Sequence, residues 1–85
     1  MLVQRRLTFL TRPGCDLCDE AQQRLVRLLR WLPIDLETRD ISRDEALEAE
    51  YHLRIPVVLD RNGRVLAEGQ IGSMRTLVAA LRGLT

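Results

Sequence analysis

The chain reads as an α/β domain of element order β-α-β-α-β-β-α, and three observations predict it. Apolar residues recur at helical spacing between Cys18 and Leu32, two short strand-like runs bracket that segment, and Asn62-Gly63 separates two further apolar runs. Strand and helix alternating through the first half imply a parallel βαβ unit, and the closing strands imply an antiparallel hairpin. The expected result is a four-stranded mixed sheet with helices on both faces. At 85 residues, with no Gly/Ser-rich or charge-block linker, the chain is expected to form one domain over 1–85.

Each element has its own signal. Leu7-Thr8-Phe9-Leu10-Thr11 has strand composition and runs into Arg12-Pro13-Gly14, a turn signal. From Cys15 the period changes. Cys18, Ala21, Leu25, Leu28, Leu29 and Leu32 mark one helical face, with Asp19, Glu20, Arg24, Arg27 and Arg30 opposite, and Pro33 is the expected stop. Acidic residues in the first turn and Arg in the last agree with the helix dipole. Ile34 through Thr38 alternates apolar and polar, as a strand with one wet face does. Ser42-Arg43-Asp44-Glu45 has the form of a capping box, with Ser42 as N-cap, and opens a second helix through about Tyr51. Ile55–Leu59 and Arg64–Ala67 are the hairpin strands around Asn62-Gly63. A last helix is expected from Ser73, with Met74, Leu77, Val78 and Leu81 as its apolar stripe.

Composition narrows the function classes. The 13 basic residues, all arginine, are balanced by 12 acidic ones for a net charge of +1, and three residues are aromatic. That is not a nucleic-acid surface, which needs a basic patch or aromatic platforms. No apolar run reaches membrane-spanning length, and Met1–Arg6 does not resemble an export signal. The expected address is the reducing cytoplasm, where a lasting structural disulfide is unusual and a transient catalytic one is the usual kind.

The chemistry concentrates on Cys15 and Cys18, the two cysteines of the chain. The spacing Cys-Asp-Leu-Cys at a strand-to-helix junction puts both sulfurs on the first turn of one helix, close enough to close and open a disulfide ring. The unpaired N–H groups of that turn favour a thiolate at Cys15, against the nearby acids Asp16, Asp19 and Glu20. A moderately activated nucleophile is expected. Cys18, one turn inward on the apolar side, is expected to be the shielded resolving thiol. His52 is expected at the surface, Trp31 near the end of the first helix, and Tyr51 between the second helix and the sheet.

Thr11-Arg12-Pro13-Gly14-Cys15-Asp16-Leu17-Cys18, followed by Asp19-Glu20-Ala21, and the segment Arg54-Ile55-Pro56-Val57-Val58 together resemble the thioredoxin superfamily, and most of all its small glutaredoxin-like proteins. The resemblance spans nearly the whole chain. It implies a thioredoxin-like (glutaredoxin-like) fold and a thiol–disulfide oxidoreductase that reduces protein or glutathione mixed disulfides, with Cys15 and Cys18 catalytic. It implies substrate-binding roles for Arg12, where glutaredoxins often carry Lys, for Ile55 and a cis Pro56, and for Gly72. No cofactor is required; glutathione enters as co-substrate, and the reducing system is of glutathione or thioredoxin type. A monomer without nucleic-acid or membrane partners is expected. The chain departs from the family where the last helix begins. Gly69-Gln70-Ile71-Gly72-Ser73 lacks the Asp pair with which glutaredoxins hold glutathione, and the thioredoxin Trp-Cys-Gly-Pro-Cys signature is absent.

Two other readings compete. Zinc asks for four ligands, and the one other soft candidate is His52, so a closed metal site within the chain is not expected. An iron–sulfur cluster bridging two subunits through Cys15 and outside thiols is the metal alternative. The third reading is a thioredoxin-fold binding module without significant turnover.

Overall fold

The structure, a computed structural model, describes residues 5–69 together with Arg75, Val78 and Ala79, which are helical. Its elements are β1 (Arg5–Thr11), α1 (Asp16–Leu29), β2 (Ile34–Asp40), a 3-10 turn (Ile41–Arg43), α2 (Glu45–Tyr51), β3 (Val57–Leu59) and β4 (Val65–Glu68). They form a four-stranded sheet of order β2-β1-β3-β4. β1 pairs parallel with β2 over its whole length, from Arg5↔Ile34 to Thr11↔Asp40. It pairs antiparallel with β3 through Thr8↔Leu59 and Leu10↔Val57. The mixed sheet and the two helices match the expected thioredoxin-like fold.

Side-chain alternation along the inner strands sorts the core onto two faces. Leu7 and Phe9 of β1 and Val58 of β3 pack with Cys18, Ala21, Leu25 and Leu29 of α1. Leu10, Val57 and Leu59 face the other way and pack with Ile41, Leu47 and Tyr51 beside α2. β2 lies at an edge and exposes Asp35, Glu37 and Arg39, charges that discourage further strand pairing.

Three local expectations are revised. α1 stops at Leu29, short of Pro33, because proline disfavours helical backbone at the residue before it. The chain instead tightens through Leu32 N–H→Leu29 C=O at 3.0 Å and Ile34 N–H→Leu32 C=O at 2.8 Å. Leu32 is therefore 45% exposed rather than part of the stripe, and Trp31 stands in solvent with Arg30 over its ring.

The second revision concerns α2. Ser42 does not cap it; Asp44 does, accepting from the N–H groups of Ala46 and Leu47 at 2.9 and 3.2 Å. Ser42 lies inside the preceding 3-10 turn, where its N–H and hydroxyl both donate to Asp40. Those hydrogen bonds hold the Asp40 carboxyl below the ordinary carboxylate range.

Third, β3 begins at Val57, after the Ile55–Pro56 bond, which is cis. The hairpin expected around Asn62-Gly63 is present, and Asp60 organises its loop. Asp60 accepts from Gly63 N–H through its carbonyl and from Asn62 and Arg64 N–H through its carboxylate. Gly63 alone takes a left-handed φ of +82° there, and the register shifts between Val58 and Leu59, as in a three-residue loop with a bulge. Of the expected stripe on the last helix, Val78 is helical but 37% exposed, while Met74, Leu77 and Leu81, and the cap at Ser73, lie outside the described residues.

One polar cluster fastens the chain before Pro56. Arg54 donates to Glu68 on β4 at 2.8 Å and to Glu50 on α2 at 2.7 Å, and stacks over Tyr51 at 4.9 Å. The hydrogen bond from Arg54 holds the Glu68 carboxyl below its ordinary range. A carboxyl depressed by folding contributes stability above its unfolded pKa and loses it as pH falls through the folded value.

Two outcomes follow. Asp44→Ala should lower stability in urea by about 1 kcal/mol, the usual cost of a lost carboxylate cap, and Ser42→Ala by clearly less. Glu68→Gln should destabilise at neutral pH by a small, salt-sensitive amount, since the pair is exposed to solvent. Denaturation at successively lower pH should bring the variant and the parent together as Glu68 protonates.

Candidate active site: two cysteines at the mouth of the first helix

β1 delivers the chain to this end of the sheet, and Arg12-Pro13-Gly14 turns it into α1. Gly14 takes φ +82°, where a side chain is strained although the space around it is open. Cys15 then has extended backbone, φ −96° and ψ 101°, and acts as the N-cap of α1. Caps are usually Ser, Thr, Asp or Asn. Here a sulfur takes that role: Cys15 Sγ accepts from Cys18 N–H at 3.1 Å, and Cys15 C=O accepts from Asp19 N–H at 3.0 Å.

Cys15 and Cys18 are joined as a disulfide, with their Cα atoms 5.2 Å apart. The two sulfurs have different surroundings. Cys18 is fully buried among Leu7, Phe9, Ala21, Leu25, Leu29 and Val58. Cys15 lies at the margin of the same cluster and is only partly covered. A reagent from solvent therefore meets Cys15, and Cys18 meets Cys15.

Register places Pro56 at the same end. Leu10 pairs with Val57, so the preceding Pro56 follows the sheet to the level of Thr11, just before the turn into Cys15. Pro56 is buried, and the Ile55 side chain packs against both halves of the core, including the cluster that holds Cys18. The Gly69 N–H, at 2.9 and 3.1 Å from the carbonyls of Pro56 and Arg54, ties β4 to this bend.

The resemblance implies a substrate-binding role for Ile55, and its N–H donates to the Tyr51 carbonyl at 3.1 Å as the chain leaves α2. The Ile55 carbonyl accepts no backbone hydrogen bond among the described residues.

Arg12 is also tied to α2. Its guanidinium donates to Glu48 Oε1 on α2 at 2.6 Å, so the positive charge beside the cysteine turn has a carboxylate partner. The other oxygen, Glu48 Oε2, is buried without a hydrogen-bond partner among the described residues. Neither this pair nor the Arg54 cluster was visible in the sequence as part of the site. Arg12 and Glu48 are 36 residues apart, and only the i,i+4 spacing of Glu50 and Arg54 offered a hint. Gly72 lies outside the described residues, as does the stretch 70–73 where glutaredoxins carry their Asp pair. His52 is exposed at the end of α2, its Nδ1 2.9 Å from the Glu48 carbonyl.

Among the described residues no three His, Cys, Asp or Glu side chains gather to hold a metal ion, and no helix is long and apolar enough to cross a membrane. The cysteine pair, one sulfur accessible and the other buried behind it, fits a thiol–disulfide redox role.

Comparison with known proteins agrees with the geometry. Curated proteins yield no match. Among solved structures, a structural-genomics target from X. campestris, XcR50, is 32% identical, with a TM-score of 0.75 over 93% of this chain and 99% of that one. Protein Ne2328 from Nitrosomonas europaea is 26% identical, with a TM-score of 0.73 over 95% and 94% of the two chains. A mutant thioredoxin from Halobacterium salinarum shares the fold at 16% identity, with a TM-score of 0.67 over 96% of this chain and 75% of that one. The sequence model of the family described as "Glutaredoxin-like domain (DUF836)" matches residues 6–81, and the chain therefore belongs to this glutaredoxin-like family.

Proposed function

We propose that the protein is a thiol–disulfide oxidoreductase that reduces protein or glutathione mixed disulfides through Cys15 and Cys18. The observation that carries this reading is the unequal placement of the two sulfurs, Cys15 at the helix N-cap and Cys18 enclosed by the core. The open end of α1 favours negative charge on Cys15, both through the dipole and through the Cys18 N–H aimed at its sulfur.

The exchange runs in two displacements. In the dithiol form, the Cys15 thiolate attacks one sulfur of the substrate disulfide. The substrate S–S bond breaks, a mixed disulfide forms, and the departing thiolate takes a proton from water. Cys18 then gives up its proton and its sulfur attacks Cys15 Sγ. That breaks the mixed disulfide, releases the second substrate thiolate, and leaves the Cys15–Cys18 disulfide. Two electrons pass from the protein to the substrate. A dithiol protein or two monothiols such as glutathione return them. No cofactor takes part, and the proposed setting is a monomer in the reducing cytoplasm.

Burial of Cys18 supports its part in the second step. It keeps this sulfur from outside disulfides while leaving it one helical turn from Cys15. The free thiol behaves in the core as a small apolar side chain, so the reduced form keeps its packing.

Single-turnover mixing of the reduced protein with a disulfide, followed by acid quench and mass analysis, tests the assignment. Cys15→Ser should bring thiol release down to the uncatalysed background and trap no adduct. Cys18→Ala, which keeps the apolar packing, should still react and accumulate about one equivalent of mixed disulfide per chain. Equal reactivity of the two single variants, or visible absorbance of an iron–sulfur cluster after anaerobic reconstitution with iron and sulfide, would contradict it.

A further inference from the structure

The charges around Cys15 are unevenly paired. Four arginines lie at or beside the sheet end that carries the site, and each has a carboxylate partner. Arg12 meets Glu48 at 2.6 Å, Arg39 meets Asp44 at 3.6 Å, Arg43 meets Asp40 at 3.8 Å, and Arg54 meets Glu50 and Glu68 at 2.7 and 2.8 Å. Within the first turns of α1, Glu20 is likewise paired with Arg24 at 2.9 Å. Asp16 and Asp19 are both exposed, and neither has an ion-pair partner among the described residues. Asp16 is covalently next to Cys15, and the Asp19 N–H is bonded to the Cys15 carbonyl.

We propose that Asp16 and Asp19 make the site selective for polypeptide disulfides flanked by basic residues and disfavour glutathione and other anionic disulfides. The proposal rests on the dithiol reading above and names its substrate class. A disulfide that reacts with Cys15 must bring its own neighbouring residues against Asp16 and the first turn of α1. Charges at that separation fall within the screening length of about 8 Å at physiological ionic strength. Opposite sign there raises the encounter rate and like sign lowers it. Glutathione carries more carboxylate than ammonium charge at neutral pH. An arginine free to receive it would offset the two aspartates, but Arg12 and Arg54 are already engaged.

The apolar rim agrees with a polypeptide. Leu17, between the two cysteines, is 50% exposed, and Leu53, on the connection leading to Pro56, is 87% exposed. These side chains suit the apolar side chains of a longer chain better than they suit a small anionic tripeptide.

The test compares three symmetric disulfides of blocked tripeptides, Lys-Cys-Lys, Gly-Cys-Gly and Glu-Cys-Glu, with oxidised glutathione, each mixed with the pre-reduced full chain in single turnover. Ratios of second-order rates are read, so the intrinsic reactivity of Cys15 cancels. The Lys peptide is expected to react about tenfold faster than the Glu peptide at low ionic strength, with the Gly peptide between them and glutathione on the anionic side. The ratio should fall towards about twofold near 1 M salt, where the screening length is about 3 Å. In the double variant Asp16→Asn/Asp19→Asn, checked for folding by circular dichroism, the low-salt ratio should approach unity. The salt series needs no variant and decides the matter alone if the variant fails to fold. Equal rates for the Lys and Glu peptides at low salt, or glutathione fastest, would overturn the charge selection while leaving dithiol exchange intact. Failure of every probe, the neutral peptide included, would overturn dithiol exchange and the selectivity with it.

Discussion

The handover from β1 to α1 at Cys15 is the constraint on which the rest of the site depends. β1 is an inner strand, paired on both sides, so its end is fixed in position. The turn through Gly14 releases the chain so that the next residue caps a helix rather than continuing it. With a sulfur in the capping place, one contact, Cys18 N–H to Cys15 Sγ, closes the helix terminus on one of the two cysteines of the site. The cap thus serves unpaired N–H groups that require an acceptor.

Core packing imposes the second asymmetry. The apolar stripe of α1 that drives the helix onto the sheet passes through Cys18, Ala21, Leu25 and Leu29. The three-residue spacing of the cysteines then commits one sulfur to the core and leaves the other at its edge. The unequal exposure of the two sulfurs is a by-product of amphipathicity and needs no separate device.

Charge is handled differently from a simple electropositive mouth. Arg12 and Arg54, which flank the cysteine turn and the proline bend in sequence, are both taken up in ion pairs that tie those segments to α2 and β4. Their work in the structure is to hold two loops together at one end of the sheet. Among the described residues beside Cys15, the charges without an ion-pair partner, Asp16 and Asp19, are negative.

Much of this was legible in the sequence because it rests on local rules. The strand and helix periods, the turn residues before Cys15, the two-cysteine spacing and the Ile55-Pro56 bend are all written within a few residues of where they act. Local rules failed where two of them competed. Ser42 and Asp44 both offered a cap to α2, and the 3-10 turn that engages Ser42 with Asp40 left the position to Asp44. Pro33 set an outer limit to α1, but its effect on the residue before it ended the helix a turn earlier. The sequence by itself determined the order of elements and the chemistry of the cysteine pair, since both follow from near-neighbour spacing. Only the tertiary structure decided that Ile55 N–H belongs to Tyr51, that Arg12 belongs to Glu48, and that Pro56 stands level with the end of β1. Those are encounters between distant segments, and their partners are chosen by strand register and packing, which no local spacing encodes.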